Sequence, residues 1–440
     1  MQRRRFIGLV AILCLVAGVI GGYLSLALGI RPVEVSRFAH AERAPFIESF
    51  DPIALVTSGR SADARGLDYP PSELDLRAII ITPEEVRLLI SGTTTRVLAG
   101  RHAWTLPDLA AAIADPNWIT PPGPSLGAGQ GYRLNSALIV DRGSLRIGPG
   151  VPRLEMTDSP SVFIGATNGA LLRFTDVHVD AMRPSDPSVP DYQPFVMATD
   201  GSRMDISGSR LTNLGWDWNY SYGVSWSQRA SGFVTDSSFD NNFIGLYTNN
   251  VHDLTVTDSQ FNSNQLYGVD PHTYSSGLAF IRVTAERNGA HGIIFADNVV
   301  NSSVRDSVSR FNGENGIMMD EESTDNVITG NTVTDNGGDG IVTADSGNNL
   351  FEQNTVERNR VGMRIDPANT DTTLAHDNRF VDNALAVQNI VLDESNTQQA
   401  NGGQWLPDRL RVVWAIVGAS LVGVVGWAAL LTMGRRRSLA

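Results

Sequence analysis

A glycine recurs every 22 to 24 residues through the second half of this chain. Gly245, Gly268, Gly292, Gly316, Gly340 and Gly362 are separated by 23, 24, 24, 24 and 22 residues. A short alternating run follows each repeat glycine from Gly268 onward: VDPH, IIFA, IMMD, IVTA and MRID. Four residues before four of the glycines stands an asparagine, at Asn264, Asn288, Asn312 and Asn336. A period near 24 with two or three short strands per turn describes a parallel β-helix, in which coils stack about 4.8 Å apart. The glycines are expected to supply a positive φ at a corner, and the asparagines to stack their amides. Residues one and three after each glycine are largely apolar and should point inward. Residues two and four after it, including Tyr247, Asn249, Asp270, His272 and Asp320, should face outward. A leucine-rich or helical solenoid is disfavoured, because neither a Leu lattice nor helix-length apolar runs occur.

The fold class expected is all-β: a right-handed parallel β-helix over 131–392, with about 22–24 residues per rung, flanked by N- and C-terminal transmembrane helices. Residues 31–70 read as a stalk, 71–130 as a mixed α/β cap and 393–411 as a linker. Within the cap, 83–90 and 106–113 read as short helices, the second capped by Thr105. Residues 6–30 and 412–433 carry no charge and are flanked by Arg3–Arg4–Arg5 and Arg435–Arg436–Arg437. Each is long enough to cross a hydrocarbon core of about 30 Å. The positive-inside rule then leaves the intervening chain on the extracytoplasmic side, periplasmic or at the cell surface. A cleaved signal peptide is the alternative for the first segment. Two anchors would also suit membership of a polysaccharide export or synthesis complex.

Charge bounds the partners. The net charge is −13, and all 34 basic residues are arginine. The membrane-flanking ends hold eight of these arginines and no acid, so the remainder carries 26 basic and 47 acidic groups, a net of −21. That balance argues against nucleic acid as a partner. Schiff-base and P-loop lysine chemistry are excluded by the absence of lysine, and the single Cys14 excludes a disulfide framework.

One rung departs from the apolar pattern: Tyr267-Gly268-Val269-Asp270-Pro271-His272. A His beside a carboxylate and a phenol is an acid/base set. Pro271 stiffens the strand and removes a backbone donor. This segment resembles the YGxDPH motif of the mannuronan (alginate) C5-epimerases. The resemblance continues through HGII at 291–294, NGIMMD at 315–320 and DGIV at 339–342, and covers roughly residues 100–390. It implies a polymer-level uronate C5-epimerase, an isomerase acting on mannuronan or a related anionic polysaccharide. His272 would be the base, Tyr267 the acid or proton relay, and Asp270 a group that orients His272 or contacts sugar.

The sequence departs from that pattern twice. Thr273 stands where the periplasmic epimerases have a further Asp. Asp297 stands where they have an Arg that neutralises the substrate carboxylate. Arg282, Arg229 and Arg305 are candidates for the missing cation, with Asn249, Asp320 and Trp226 as further substrate contacts. No cofactor is required by this reading. Asp297, Asp320 and Glu321 form a candidate Ca²⁺ set, or else a solvated acidic face. Trp216, Trp218, Tyr220, Tyr222 and Trp226 are either a sugar-stacking platform or loop packing. Two other functions stay open: a polysaccharide lyase on the same site, and a non-catalytic β-helical accessory protein that binds glycan or resembles the periplasmic copper-site maturation proteins.

Overall fold

The computed structural model describes residues 51–58, 76–123, 131–159, 161–182, 193–217 and 221–402. Among them, three sheets of 14, 11 and 13 strands, here called A, B and C, form a parallel β-helix. One coil runs from Val269–His272 in sheet A through Ala279–Ile281 in B and Thr284–Glu286 in C to Ile293–Phe295, again in A. Val269, Ile293, Ile317, Ile341 and Met363 stack in register, coil upon coil. All five are buried in the interior, as their position after the repeat glycine predicts.

The repeat glycines have a different reason from the one expected. None of the six adopts a positive φ. A Cβ on Gly268 would sit 2.5 Å from the Gly292 carbonyl oxygen and 2.7 Å from Asn288 Nδ2, and Gly316 is hemmed in the same way by Gly340 and Asn336. Close approach of coils, not backbone handedness, forbids a side chain there. The left-handed positions lie at other corners and are taken mostly by non-glycine residues, among them Asp258, Asp306 and Asn348, with Gly277 and Gly330 as exceptions.

The asparagine column forms a ladder longer than the four residues expected. The backbone N–H of Asn264, Asn288, Asn312 and Asn336 each donates to the side-chain oxygen of the asparagine one coil on, at 2.9–3.2 Å in the run from Asn242 to Asn401. Each Nδ2 also donates to a main-chain carbonyl of the preceding coil, as Asn312 does to Ala285. Every amide is thus satisfied away from water, which is what burying it requires. A second ladder, absent from the sequence reading, runs through Asn331, Asn354, Asn378 and Asn396 at another corner.

Toward the N-terminus, Leu106–Ile113 is a helix whose N-cap Thr105 accepts from Asp108 N. The helix expected over 83–90 is corrected. Glu85–Ile90 is a strand, antiparallel to Arg77–Ile81, which itself joins sheet A beside Ala137–Asp141. Val86 and Leu88 point into the interior and Leu89 outward, the two-residue period of a strand buried on both faces. Outside sheet A lies a second apolar layer of Ile80, Ile139, Phe163, Phe195, Met197 and Trp216, ending at Ile244, Tyr247, Leu266 and Tyr267. The early coils are therefore dry on both faces.

The expected membrane helices at 6–30 and 412–433 lie outside the described residues. Among the described residues no helix is long and apolar enough to cross a membrane.

Asn312→Ala would leave the buried Asn288 N–H without its partner and take one hydrogen bond from the Ala285 carbonyl. At about 1–3 kcal/mol for a buried group left without its partner, the midpoint of chemical denaturation should fall clearly. An unchanged midpoint would show that the ladder does not hold the coils.

Candidate active site

Strand Val269–His272 lies where the outer apolar layer stops. Asp270 pairs in register with Tyr247 of the preceding coil, and His272 with Asn249. Toward the next coil the ladder is made at Val269–Ile293 and His272–Ala296. Asp270 and His272 alternate with the inward Val269 and so take the outward face, as predicted. That face is nevertheless covered: Asp270 is only 3% exposed, because the aromatic layer runs up to it.

Asp270 is the least compensated group in the site. Its Oδ1 is buried without a hydrogen-bond partner, as is Oδ1 of Asn249. Burial pushes its carboxyl well above the usual carboxylate range, so the neutral acid is favoured, a hydrogen-bond donor rather than a charge. Tyr267 precedes it by three residues. Its phenol is also raised, by burial first and then by the acids Asp270, Glu314 and Asp320. A raised phenol stays protonated and can donate.

His272 bonds through Nδ1 to Thr273 Oγ1 at 2.6 Å, and Thr273 Oγ1 donates to Asp297 Oδ2 at 2.9 Å. The Tyr247 ring lies 5.8 Å from the imidazole. Burial lowers the imidazole's pKa, and the charge of Asp297 partly opposes this. Thr273 and Tyr274 are both left-handed, with φ of 35° and 55°, as are Asp297 and Asn298 one coil on, at 58° and 65°. A β-branched residue at positive φ is an outlier costing about 1–3 kcal/mol, and such strain gathers at functional sites.

A second polar set adjoins the first, around His291. His291 stacks face to face on Tyr267, with ring centroids 5.2 Å apart and planes 4° apart. Its Nδ1 accepts from Asn315 N at 3.3 Å, and its Nε2 lies 3.3 Å from Glu314 Oε2. Burial depresses this imidazole to about 4, so it is neutral. The column continues with Asn315 Oδ1 accepting from Asp339 N, and buried Asp339 holds Arg360 and Arg364. The signal was present: His291 follows Tyr267 by one period of 24.

The other expected site residues divide. Asp320 lies on the outward face two coils beyond His272, its Oδ1 accepting from Glu321 N. Arg229 is exposed on a turn after sheet A, its backbone bonded to Asn250, which in turn bonds to Thr273. Arg282 is not brought to the site: it follows a sheet B strand and is held bidentate by Asp258. Trp226 points inward and donates to Met204 O, so it packs the core and cannot stack on a ligand. Trp216 belongs to the outer apolar layer, while Trp218 and Tyr220 lie outside the described residues. Asp297, Asp320 and Glu321 do not converge as a Ca²⁺ site. Asp297 turns both carboxylate oxygens to Thr273 and Asn298, and among the described residues no group of three or more His, Cys, Asp or Glu side chains could hold a metal.

Comparison with known proteins follows this geometry. A family profile described as periplasmic copper-binding protein (NosD) matches residues 272–404, and one described as right handed beta helix region matches 162–310. The described residues offer no ligand cluster that fits copper. A mannuronan C5-epimerase of Pseudomonas syringae pv. tomato is 29% identical over 244 residues, 50% of this chain and 44% of that protein. One from Pseudomonas putida is 28% identical over 248 residues, 52% and 47% respectively. The mannuronan C5-epimerase AlgG of Azotobacter vinelandii is 27% identical over 318 residues, 66% and 59%. The chain thus spans about half the length of the curated relatives it matches. A crystal structure of the periplasmic alginate epimerase AlgG superposes with a TM-score of 0.60 at 23% identity, over 71% of this chain and 81% of that one, which establishes the shared fold. The resemblance to mannuronan C5-epimerases and the right-handed β-helix fold are both upheld. The two-pass membrane localisation is corrected: this structural relative is periplasmic, and the described residues contain no membrane-crossing helix.

A carboxyl whose folded pKa is raised lends stability below its unfolded pKa and loses it as pH rises through the folded value. Asp270→Asn removes that loss. The variant should melt higher than wild type at pH 8 and the gap should close toward pH 4; a lower melting temperature at pH 8 would refute the buried neutral acid.

Proposed function

We propose that this relative of the mannuronan C5-epimerases is a periplasmic isomerase that inverts C5 of uronate residues within mannuronan or a closely related anionic polymer. The observation that carries the reading is the array on one coil edge: Tyr267, Asp270 and His272, with Asp270 Oδ1 buried and without a hydrogen-bond partner, burial raising the Tyr267 phenol and lowering the His272 imidazole.

Epimerisation needs a base for the C5 proton, a group that tempers the adjacent carboxylate, and an acid on the opposite face of the ring. His272 takes the proton. Its depressed pKa keeps the free base populated near neutrality. The electron pair moves into the carboxylate, giving an enolate whose second negative charge must be met by a donor. Among the described residues no arginine ion-pairs or hydrogen-bonds with Tyr267, Asp270 or His272. Asp270, held neutral by burial, serves as that donor toward the substrate carboxylate, in a dry setting where one well-placed hydrogen bond counts for far more than in water. Tyr267 returns a proton to C5 and recovers one from the His272 imidazolium through solvent, so the reaction balances as an isomerisation. Asn249, with its free Oδ1, contacts a sugar hydroxyl. Arg229 and Asp320 lie before and beyond His272 along the coil stack and contact neighbouring residues of the polymer.

Mannuronan incubated with the full chain should gain guluronate signals in its proton NMR spectrum, and His272→Gln should abolish the gain. An unchanged uronate ratio with wild type sinks the activity. Unsaturated chain ends and falling polymer length would make the protein a lyase, and binding without turnover an accessory protein.

Asp270→Asn keeps a hydrogen-bond donor, whereas Asp270→Ala does not. The amide should retain activity within about tenfold and the alanine lose on the order of a hundredfold. Equal losses would show that the carboxylate charge, not a donated hydrogen bond, is what matters.

The acid limb of kcat/KM should have its midpoint below the ordinary histidine value of 6.5, because burial disfavours the imidazolium. A midpoint above 6.5 would mean that Asp297 outweighs burial.

A further inference from the structure

We propose that Thr273 and Asp297 act as positioning residues that fix the tautomer of His272, keeping the ring proton on Nδ1 and leaving the Nε2 lone pair as the basic atom. This rests on the reading of His272 as the base.

The argument is one of counting protons. Thr273 Oγ1 touches both His272 Nδ1, at 2.6 Å, and Asp297 Oδ2, at 2.9 Å. A threonine hydroxyl has one proton and two lone pairs, and an ionised carboxylate can only accept. The hydroxyl proton therefore goes to Asp297. Oγ1 is left to accept, and Nδ1 must supply the proton. A neutral imidazole protonated at Nδ1 carries its lone pair at Nε2. The other end of the relay is pinned as well. Asn298 Nδ2 donates to Asp297 Oδ1 at 3.1 Å, so the carboxylate presents Oδ2 to the threonine. Backbone bonds bracket the contact on both sides, Thr273 N to Ala296 O at 3.2 Å and Tyr274 N to Asp297 O at 3.0 Å. The left-handed φ of Thr273 and of Asp297 turns both side chains into the same corner.

Residues facing the imidazole are Asp297 across the turn, Tyr247 and Asn249 on the preceding coil, and Asp270 two places earlier on its own strand. Asp297 is the charge that raises its pKa. Asp297→Asn should do two things that mere loosening of the fold would not. The new amide can donate to Oγ1, which turns the hydroxyl proton toward Nδ1 and moves the ring proton to Nε2. The acid limb of kcat/KM should also move to lower pH.

Histidine-selective ¹⁵N NMR of the full chain reads the tautomer directly, with the His272 signals identified as those lost in His272→Gln. Wild type should show a protonated Nδ1 and an unprotonated Nε2, Asp297→Asn should exchange the two, and Thr273→Ser should match wild type. Thr273→Val and Asp297→Asn should each lower kcat by about tenfold or more with KM changed by less than about twofold, and the double variant should be no worse than the poorer single. A protonated Nε2 in wild type, or an Asp297→Asn variant with an unmoved tautomer, overturns the relay. A wild-type chain with the stated tautomer but no epimerisation of mannuronan would leave the relay standing and retire the proposed activity.

Discussion

Each coil of this protein is held by the coil before and after it, and the tightest statement of that constraint is the asparagine ladder. A buried amide that donates backward to a carbonyl and forward to the side-chain oxygen of the next asparagine leaves no freedom in coil height or register. The missing side chain at each repeat glycine follows from the same closeness, since a main-chain carbonyl of the next coil and the ladder Nδ2 occupy the space a Cβ would need. With the corner fixed, the residues after it must alternate between interior and exterior. The outward positions of sheet A are then a grid of side chains with preset spacing.

What makes one part of that grid chemical is the edge of the outer apolar layer. Phe163, Phe195, Trp216 and Tyr247 exclude water from the outside of the early coils, and Asp270 sits where the exclusion ends. The sequence poses a puzzle, because a chain with 47 acids and no lysine is poorly matched in charge to the polyanion proposed as its substrate. Under the proposed function the site would answer it with hydrogen-bond donors rather than cations. Burial pushes the Asp270 carboxyl and the Tyr267 phenol toward their protonated forms, and the arginines of later coils are engaged by acids such as Glu286 and Asp339.

Much of this was legible in the sequence, and the failures have physical causes. The glycine period and its asparagines gave the fold and the direction of Asp270 and His272. The strand at 85–90 was mistaken for a helix because a strand buried on both faces has no clean alternation. Trp226 and Arg282 were misplaced because residue type alone does not say which sheet, or which side of it, a residue occupies. Thr273 and Asp297 looked like two separate losses. They touch, being one period of 24 apart, and only arithmetic along the stack rather than along the chain reveals it.

The relation of Tyr267 to His291 and of Thr273 to Asp297 also says something about how such a protein can change. Each pair belongs to two adjacent coils and to no others. A whole coil duplicated or deleted beyond residue 340, or before 240, would lengthen or shorten the outward face of the coil stack without disturbing either pair. One inserted between residues 274 and 290 would part both at once. The unit of inheritance for the chemistry is thus a two-coil cassette, and the rest of the solenoid is free to evolve as a measure of length.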